Sequence, residues 1–198
     1  MPLIDLSKNK GLRLKSCIVT GLALLVTSSA WAQQKLVPAQ STISFVSKQM
    51  GVPVEGYFKK LDASVAFNPA KPESASIAIR IDMSSATLGV PETDAELVKS
   101  DWFNVPKFPQ AVFQSSAVKK LNSQNWQVAG KLTIKGQVRD VMVPVVLSQN
   151  GDVTTASGNF VVERLAFKIG ENAWADTSMV ANDVQVKFKL ALTGVGKL

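Results

Sequence analysis

After Gln33 the chain alternates between apolar and polar residues over one short stretch after another. Ile43 and Phe45 recur at period two within Thr42–Lys48, as do Ala63, Val65 and Phe67. Ile77, Ile79 and Ile81 enclose Ala78 and Arg80 in the same way. Trp126, Val128, Gly130, Leu132 and Ile134 share one face, with Gln127, Lys131 and Lys135 on the other. The last stretch is the clearest: Val184, Val186, Phe188, Leu190 and Leu192 against Gln185, Lys187 and Lys189. Period two puts successive side chains on opposite faces of a strand, and no helix gathers those positions on one side.

The breaks between these runs are turn chemistry. Asn68-Pro69-Ala70-Lys71-Pro72 and Asn122–Asn125 separate strands, and Asn150-Gly151 predicts a tight hairpin because both residues tolerate positive φ. One stretch reads as helix, Thr93–Lys99, where Thr93 and Glu96 have the spacing of a capping box. The expectation is an all-β domain, a single antiparallel barrel of about eight strands with one short helix. Closing the sheet removes its exposed edges, and a barrel of this size is either filled by side chains or holds one small ligand.

Alternation alone does not say whether the apolar face points inward or out to lipid. An eight-stranded outer-membrane barrel needs aromatic girdles at both interfaces. This chain has a single tyrosine, Tyr57, ends in Gly196-Lys197-Leu198, and carries Pro53 and Pro144 inside its strands. The inward-facing barrel fits better.

Composition narrows the chemistry. Of 198 residues, 46% are apolar and 19% charged, with no histidine and one cysteine. Imidazole acid/base catalysis, His-ligated zinc and Ser-His or Cys-His nucleophiles are therefore excluded. The first 32 residues read as a cleaved signal peptide. Lys8, Lys10, Arg13 and Lys15 precede an apolar core at Cys17–Val26, and Ala30-Trp31-Ala32 offers a small-x-small site before Gln33. An uncleaved anchor is the alternative, but Thr20, Thr27, Ser28 and Ser29 dilute the run. Cys17 opens the apolar core rather than following it, which argues against lipid acylation. The expected mature chain, 33–198, is periplasmic, has no cysteine and carries 18 Lys+Arg against 14 Asp+Glu, a net of +4. That mild charge suits an anionic head group or transient contact with a membrane surface. It shows no basic stripe for nucleic acid.

Four segments are candidates for chemistry. Glu92, Asp94, Glu96 and Asp101 form the one acidic cluster, which reads better as a helix start than as a metal site. Ser115 and Ser116 have no catalytic partner and no nucleophile elbow surrounds them, so no catalytic residue is assigned. Asp101-Trp102-Phe103-Asn104-Val105-Pro106-Lys107-Phe108-Pro109 is a stiff apolar connection, either a plug at one barrel end or the wall of a ligand mouth. Val141-Met142-Val143-Pro144-Val145-Val146-Leu147 is apolar on both faces, which predicts burial beneath the helix and loops or contact with a second copy in a homodimer.

Taken in order, these pieces resemble the YceI-like family of exported, lipocalin-like barrels that bind long isoprenoid lipids. The resemblance runs from about Leu36 to Leu192. It is carried by Gly51-Val52 with Gly56-Tyr57-Phe58, by Asp101-Trp102-Phe103-Asn104-Val105 with Phe108-Pro109 and Phe113-Gln114-Ser115, and by Gly130-Lys131-Leu132-Thr133-Ile134-Lys135-Gly136. Arg139-Asp140-Val141, Pro144-Val145, and Arg164 with Phe167-Lys168-Ile169-Gly170 complete it. The family's Arg-x-Asp-Phe stands here as Arg164-Leu165-Ala166-Phe167, so the acid is lost.

The resemblance implies a bound isoprenoid, ubiquinone-like or polyprenyl phosphate, and no catalytic cofactor. The implied pocket wall is Phe45, Phe58, Val65, Phe67, Ile79, Phe113, Leu132, Phe160, Phe188 and Leu190, each on the apolar face of its strand. Trp102 and Phe103 are expected at the mouth, and Arg139, Arg164 and Lys168 are the head-group candidates. The rival reading is a ligand-free periplasmic interaction or stress protein with a filled barrel, which needs the same alternation.

Overall fold

The computed structural model describes residues 34–198. The expected signal peptide, residues 1–32, lies outside the described residues. Eleven strands make one antiparallel sheet: β1 (Lys35–Leu36), β2 (Thr42–Gln49), β3 (Val52–Phe58), β4 (Leu61–Ala66), β5 (Ser76–Asp82), β6 (Ala86–Thr87), β7 (Gln110–Lys120), β8 (Asn125–Ile134), β9 (Gln137–Asn150), β10 (Val153–Glu163) and β11 (Asp183–Thr193). The class is as expected and the count exceeds eight, partly because β1 and β6 are two-residue strands.

The order is β4-β5-β7-β8-β9-β10-β11-β2-β3-β6, with β1 also on β11. The ladder curls but does not close on itself, since β4 and β6 are its ends. Gln34 stitches the gap beside β4. Its amide nitrogen donates to the Phe67 carbonyl at 2.6 Å and its carbonyl accepts from the Phe67 amide at 3.0 Å, the pair of bonds a neighbouring strand would make.

The apolar faces point inward. Along β11, Lys187 and Lys189 are exposed while Leu190 and Leu192 are buried. That is the reverse of a lipid-facing wall.

The one α-helix among the described residues, α1, spans Pro91–Leu97, starting and ending two residues earlier than expected. Proline at the first helical position supplies a pre-set φ and lacks an amide that would go unbonded there. The expected capping box is absent. The Thr93 hydroxyl donates back to the Val90 carbonyl at 2.8 Å, and Glu96 pairs with Lys99. The hairpin expected at Asn150-Gly151 turns one residue later, at Gly151-Asp152, because Asn150 pairs with Val153. The turns with two consecutive positive φ values are instead Met50-Gly51 and Lys135-Gly136.

The Val141–Leu147 stretch is not roofed by helix or loops. Val143, Val145 and Leu147 face inward and are buried, whereas Met142 is 59% and Val146 43% exposed on the outside. Its strand β9 lies inside the sheet, paired with β8 from Gln137 to Val146 and with β10 from Val146 to Asn150. Pro144 and the Lys131–Asp140 ion pair interrupt the outer apolar row. That leaves the expected homodimer without a continuous apolar seam.

Candidate functional site

Three glycines shape the interior. Gly56 sits opposite Phe45, and Gly158 opposite Phe188, in the strand register. A Cβ built at Gly56 would meet the Phe45 ring at 2.4 Å, one at Gly130 the Phe113 ring at 2.6 Å, and one at Gly158 the Phe188 ring at 2.7 Å. Phe45, Phe113 and Phe188 thus each lie against a glycine of the neighbouring strand, the arrangement by which aromatics cover glycines in sheets. The interior is not filled.

Two cavities occupy that space, of about 230 Å³ and about 160 Å³. On a measure where one water needs about 10–15 Å³, both are large, and apolar cavities of about 150 Å³ stay dry and admit hydrocarbon guests. Ile43, Ile81, Leu132, Phe160 and Val186 line both, so the two cavities adjoin at these side chains.

Every expected wall residue falls on this lining. Phe45 and Phe58 line the larger cavity, Val65, Phe67, Ile79, Phe113, Phe188 and Leu190 the smaller, and Leu132 and Phe160 both. The smaller cavity lies at the end stopped by Trp126, whose ring meets Phe67 edge-on at 5.2 Å. Trp102 and Phe103 line the larger cavity, where Phe103 continues a row of rings from Phe45 through Phe58 at 5.4 and 6.4 Å.

The rim of the larger cavity is built by α1, by the Trp102–Phe103 segment and by residues 164–181. Ser47, Gln49, Thr93, Glu96, Arg164 and Trp174 are its polar or amphipathic lining. Asp94 fastens α1 to β6, accepting from the Thr87 hydroxyl at 2.5 Å and the Leu88 amide at 2.6 Å. Those hydrogen bonds hold its carboxyl below the usual carboxylate range. The acidic cluster is divided among separate tasks. Glu96 pairs with Lys99, Asp101 accepts from the Asn172 amide at 2.9 Å, and Glu92 lies in the first turn of α1. Among the described residues, no three His, Cys, Asp or Glu side chains converge on a point.

The head-group expectations are corrected. Arg164 is 1% exposed and its five N–H groups are all engaged. Nε donates to Ala181 O at 3.1 Å, Nη1 to Ile169 O and Gly170 O at 2.8 and 2.9 Å, and Nη2 to Trp174 O and Val180 O at 2.7 Å each. Among the described residues, no carboxylate pairs with it. Burial lowers its pKa, yet a guanidinium stays charged, here solvated by carbonyl dipoles. It lines the cavity but has no donor left for a ligand.

Arg139 and Lys168 line neither cavity. Arg139 lies over the Phe167 ring at 6.0 Å, and Lys168 is an exposed residue in the left-handed conformation, φ +55. Lys135, expected on the solvent face, is buried instead. Its ammonium donates to Lys168 O at 2.6 Å and to Glu171 at 2.9 Å, anchoring the rim segment.

Sequence reasoning gave Gly56, Gly158, Trp174 and Gln49 no part in the site; Gly56 entered only among the residues that carry the family resemblance. The glycines carry a signal only once the strand register is known. Trp174 and Gln49 come from segments that meet through the bridge between Gln49 and Val180.

Comparison with known proteins agrees with this architecture. A UPF0312 protein of Pseudomonas putida strain W619 is 27% identical over 176 residues, 87% of this chain and 86% of that one. A UPF0312 protein of Enterobacter sp. strain 638 is 30% identical over 139 residues, 68% of this chain and 72% of that one. The crystal structure of Burkholderia cenocepacia BcnA superimposes with a TM-score of 0.77 at 44% identity, covering 79% of this chain and 99% of its own. A polyisoprenoid-binding domain from Saccharophagus degradans, implicated in plant cell wall breakdown, has a TM-score of 0.67 at 12% identity, covering 81% and 98%. The model of the YceI-like domain matches residues 34–192, all but the last residue of the sheet just described, and the chain belongs to the YceI-like family.

Proposed function

We propose that this protein binds a long isoprenoid lipid, with the tail in the two joined cavities and the head at the rim of the larger, and that it carries that lipid outside the cytoplasm. The observation that carries the reading is the pair of adjoining cavities whose five shared lining residues are all aliphatic or aromatic. A filled barrel would have no such space. The polyisoprenoid-binding domain from Saccharophagus degradans shares the fold and lends the ligand class.

The tail alone supplies the driving force. Each buried methylene is worth about 0.8 kcal/mol, so a five-carbon isoprene unit gains roughly 3–4 kcal/mol before ordering costs. No catalytic group is needed, and the reading is of a binding protein rather than an enzyme. The leader at residues 1–32 supports export to the periplasm.

One preparation tests both parts. Protein recovered from a periplasmic extract should have an intact mass that begins at Gln33. Its melting temperature should rise on adding isoprenoid quinones, more for each longer tail until the cavities are full. A retained leader would overturn the export reading. A melting temperature unmoved by any tail length would overturn the binding reading.

A further inference from the structure

The turn between β2 and β3 breaks two local preferences at once. Met50 holds a φ of +48 beside Gly51 at +82, a turn that favours asparagine or aspartate before the glycine. It is also 73% exposed, where water favours a polar side chain. At Lys135-Gly136 the same backbone carries a side chain that is buried and hydrogen-bonded, whereas Met50 stands mostly in solvent. A strained conformation kept at an exposed position points to a use for the side chain that holds it. Its neighbours are apolar and exposed as well: Val52 is 63%, Met179 46% and Trp174 38% exposed. The Met50 amide donates to the Met179 carbonyl at 2.8 Å, and Gln49 pairs with Val52 and bridges to Val180. The Val180 and Trp174 carbonyls accept from the same Arg164 nitrogen. Gln49, Trp174 and Val180 line the larger cavity, so this patch continues its wall outward.

Resting on the isoprenoid reading, we propose that Met50, Val52, Met179 and Trp174 seat the rim of the larger cavity on a zwitterionic phospholipid bilayer, so that lipid passes between membrane and cavity without entering water. Residues 49–54 are uncharged throughout. The charges nearest the patch in sequence are Lys48, Glu55 and Asp176, one cation against two anions, which offers no complement to an anionic lipid surface. Apolar side chains on such a rim enter the boundary between head groups and acyl chains, where methionine's flexible thioether adapts to irregular neighbours. The cargo argues for a bilayer over a protein partner. An isoprene unit that gains by leaving water on entry loses the same amount on leaving into water, so a cavity opening only to water would exchange its lipid slowly.

The test floats protein whose mass begins at Gln33 with phosphatidylcholine vesicles that hold no isoprenoid, with and without added phosphatidylglycerol, at low and high salt. The wild type should float with phosphatidylcholine alone, equally at both salt concentrations and no better with phosphatidylglycerol. Met50→Asn should float about tenfold less, the factor expected when one methionine side chain no longer leaves water. It should melt no lower than the wild type, because asparagine suits the left-handed turn position. Met50→Asn combined with Val52→Thr should float at background, yet its melting temperature should still rise with isoprenoid quinone delivered in micelles. Undiminished flotation of the double variant would overturn the proposal, as would flotation that needs phosphatidylglycerol and is lost in salt. So would a wild type that ignores vesicles and instead sediments as a dimer that Met50→Asn dissolves, since a second copy would then cover the patch. A wild type that floats as expected but whose melting temperature ignores isoprenoid of every tail length would overturn the isoprenoid reading and leave the docking surface standing.

Discussion

Arg164→Met is expected to destabilise the protein by about 4 kcal/mol or more, because it strips five backbone carbonyls of their donor at once. Those carbonyls belong to Ile169, Gly170, Trp174, Val180 and Ala181, so one guanidinium closes a loop that otherwise has little regular structure. The approach is tight enough to dictate sequence. A Cβ at Gly170 would meet Arg164 Nη1 at 2.4 Å, and Gly170 also has a φ of +72. Lysine is no substitute, since a point ammonium lacks the planar fork that reaches carbonyls on several sides. For a domain of this size the melting temperature should fall by about 10 °C. Hydrogen exchange should show residues 165–181 opening before the strands. A melting temperature within about 2 °C of wild type, converted on the same scale, would show that water replaces the guanidinium at little cost.

Leu132→Trp is expected to keep the fold and remove most of the bound lipid. Leu132 is buried in β8, faces Phe113 across the sheet and lines both cavities. Overpacking a well-filled core costs about 1–3 kcal/mol, but here the added ring enters open space, so the loss should lie at the low end. Leu132 is one of the five residues that line both cavities, so an added ring there takes space from each. Lipid recovered per mole of protein should drop about tenfold while the far-UV circular dichroism is unchanged, corresponding to about 1.4 kcal/mol of lost affinity. Equal recovery from the variant and wild type would place the ligand elsewhere.

Much of this architecture is legible in the sequence, for physical reasons that differ by element. The alternation from Val184 to Leu192 fixes a strand and its inner face, because one face is buried and a one-residue slip would expose every apolar side chain. The ten inward residues follow from the same rule. Whether the interior is open does not, since it depends on Phe45, Phe113 and Phe188 lying across glycines on adjacent strands. Those glycines are distant in sequence, and only the register shows that Gly56 and Gly158 lie opposite Phe45 and Phe188 and that Gly130 lies diagonal to Phe113. Arg164 reads as a surface cation until the fold brings residues 169–181 around it. The two-residue strands β1 and β6 carry too little pattern to be seen, and exist because β11 and β3 offer them partners.

The turns divide along similar lines. Asn150-Gly151 has strong local preference and still shifts by one residue, because the pairing of Asn150 with Val153 wins. At Lys135-Gly136, a lysine takes a φ of +48 while its ammonium is held by Lys168 O and Glu171. Tertiary contacts there offset a local conformational cost that composition alone would advise against.

The most direct test of the account is organic extraction of the purified protein followed by mass spectrometry. The account predicts an isoprenoid of long chain, near one per protein molecule. Extracts that match a mock purification, from protein whose melting temperature also ignores added isoprenoid, would contradict it.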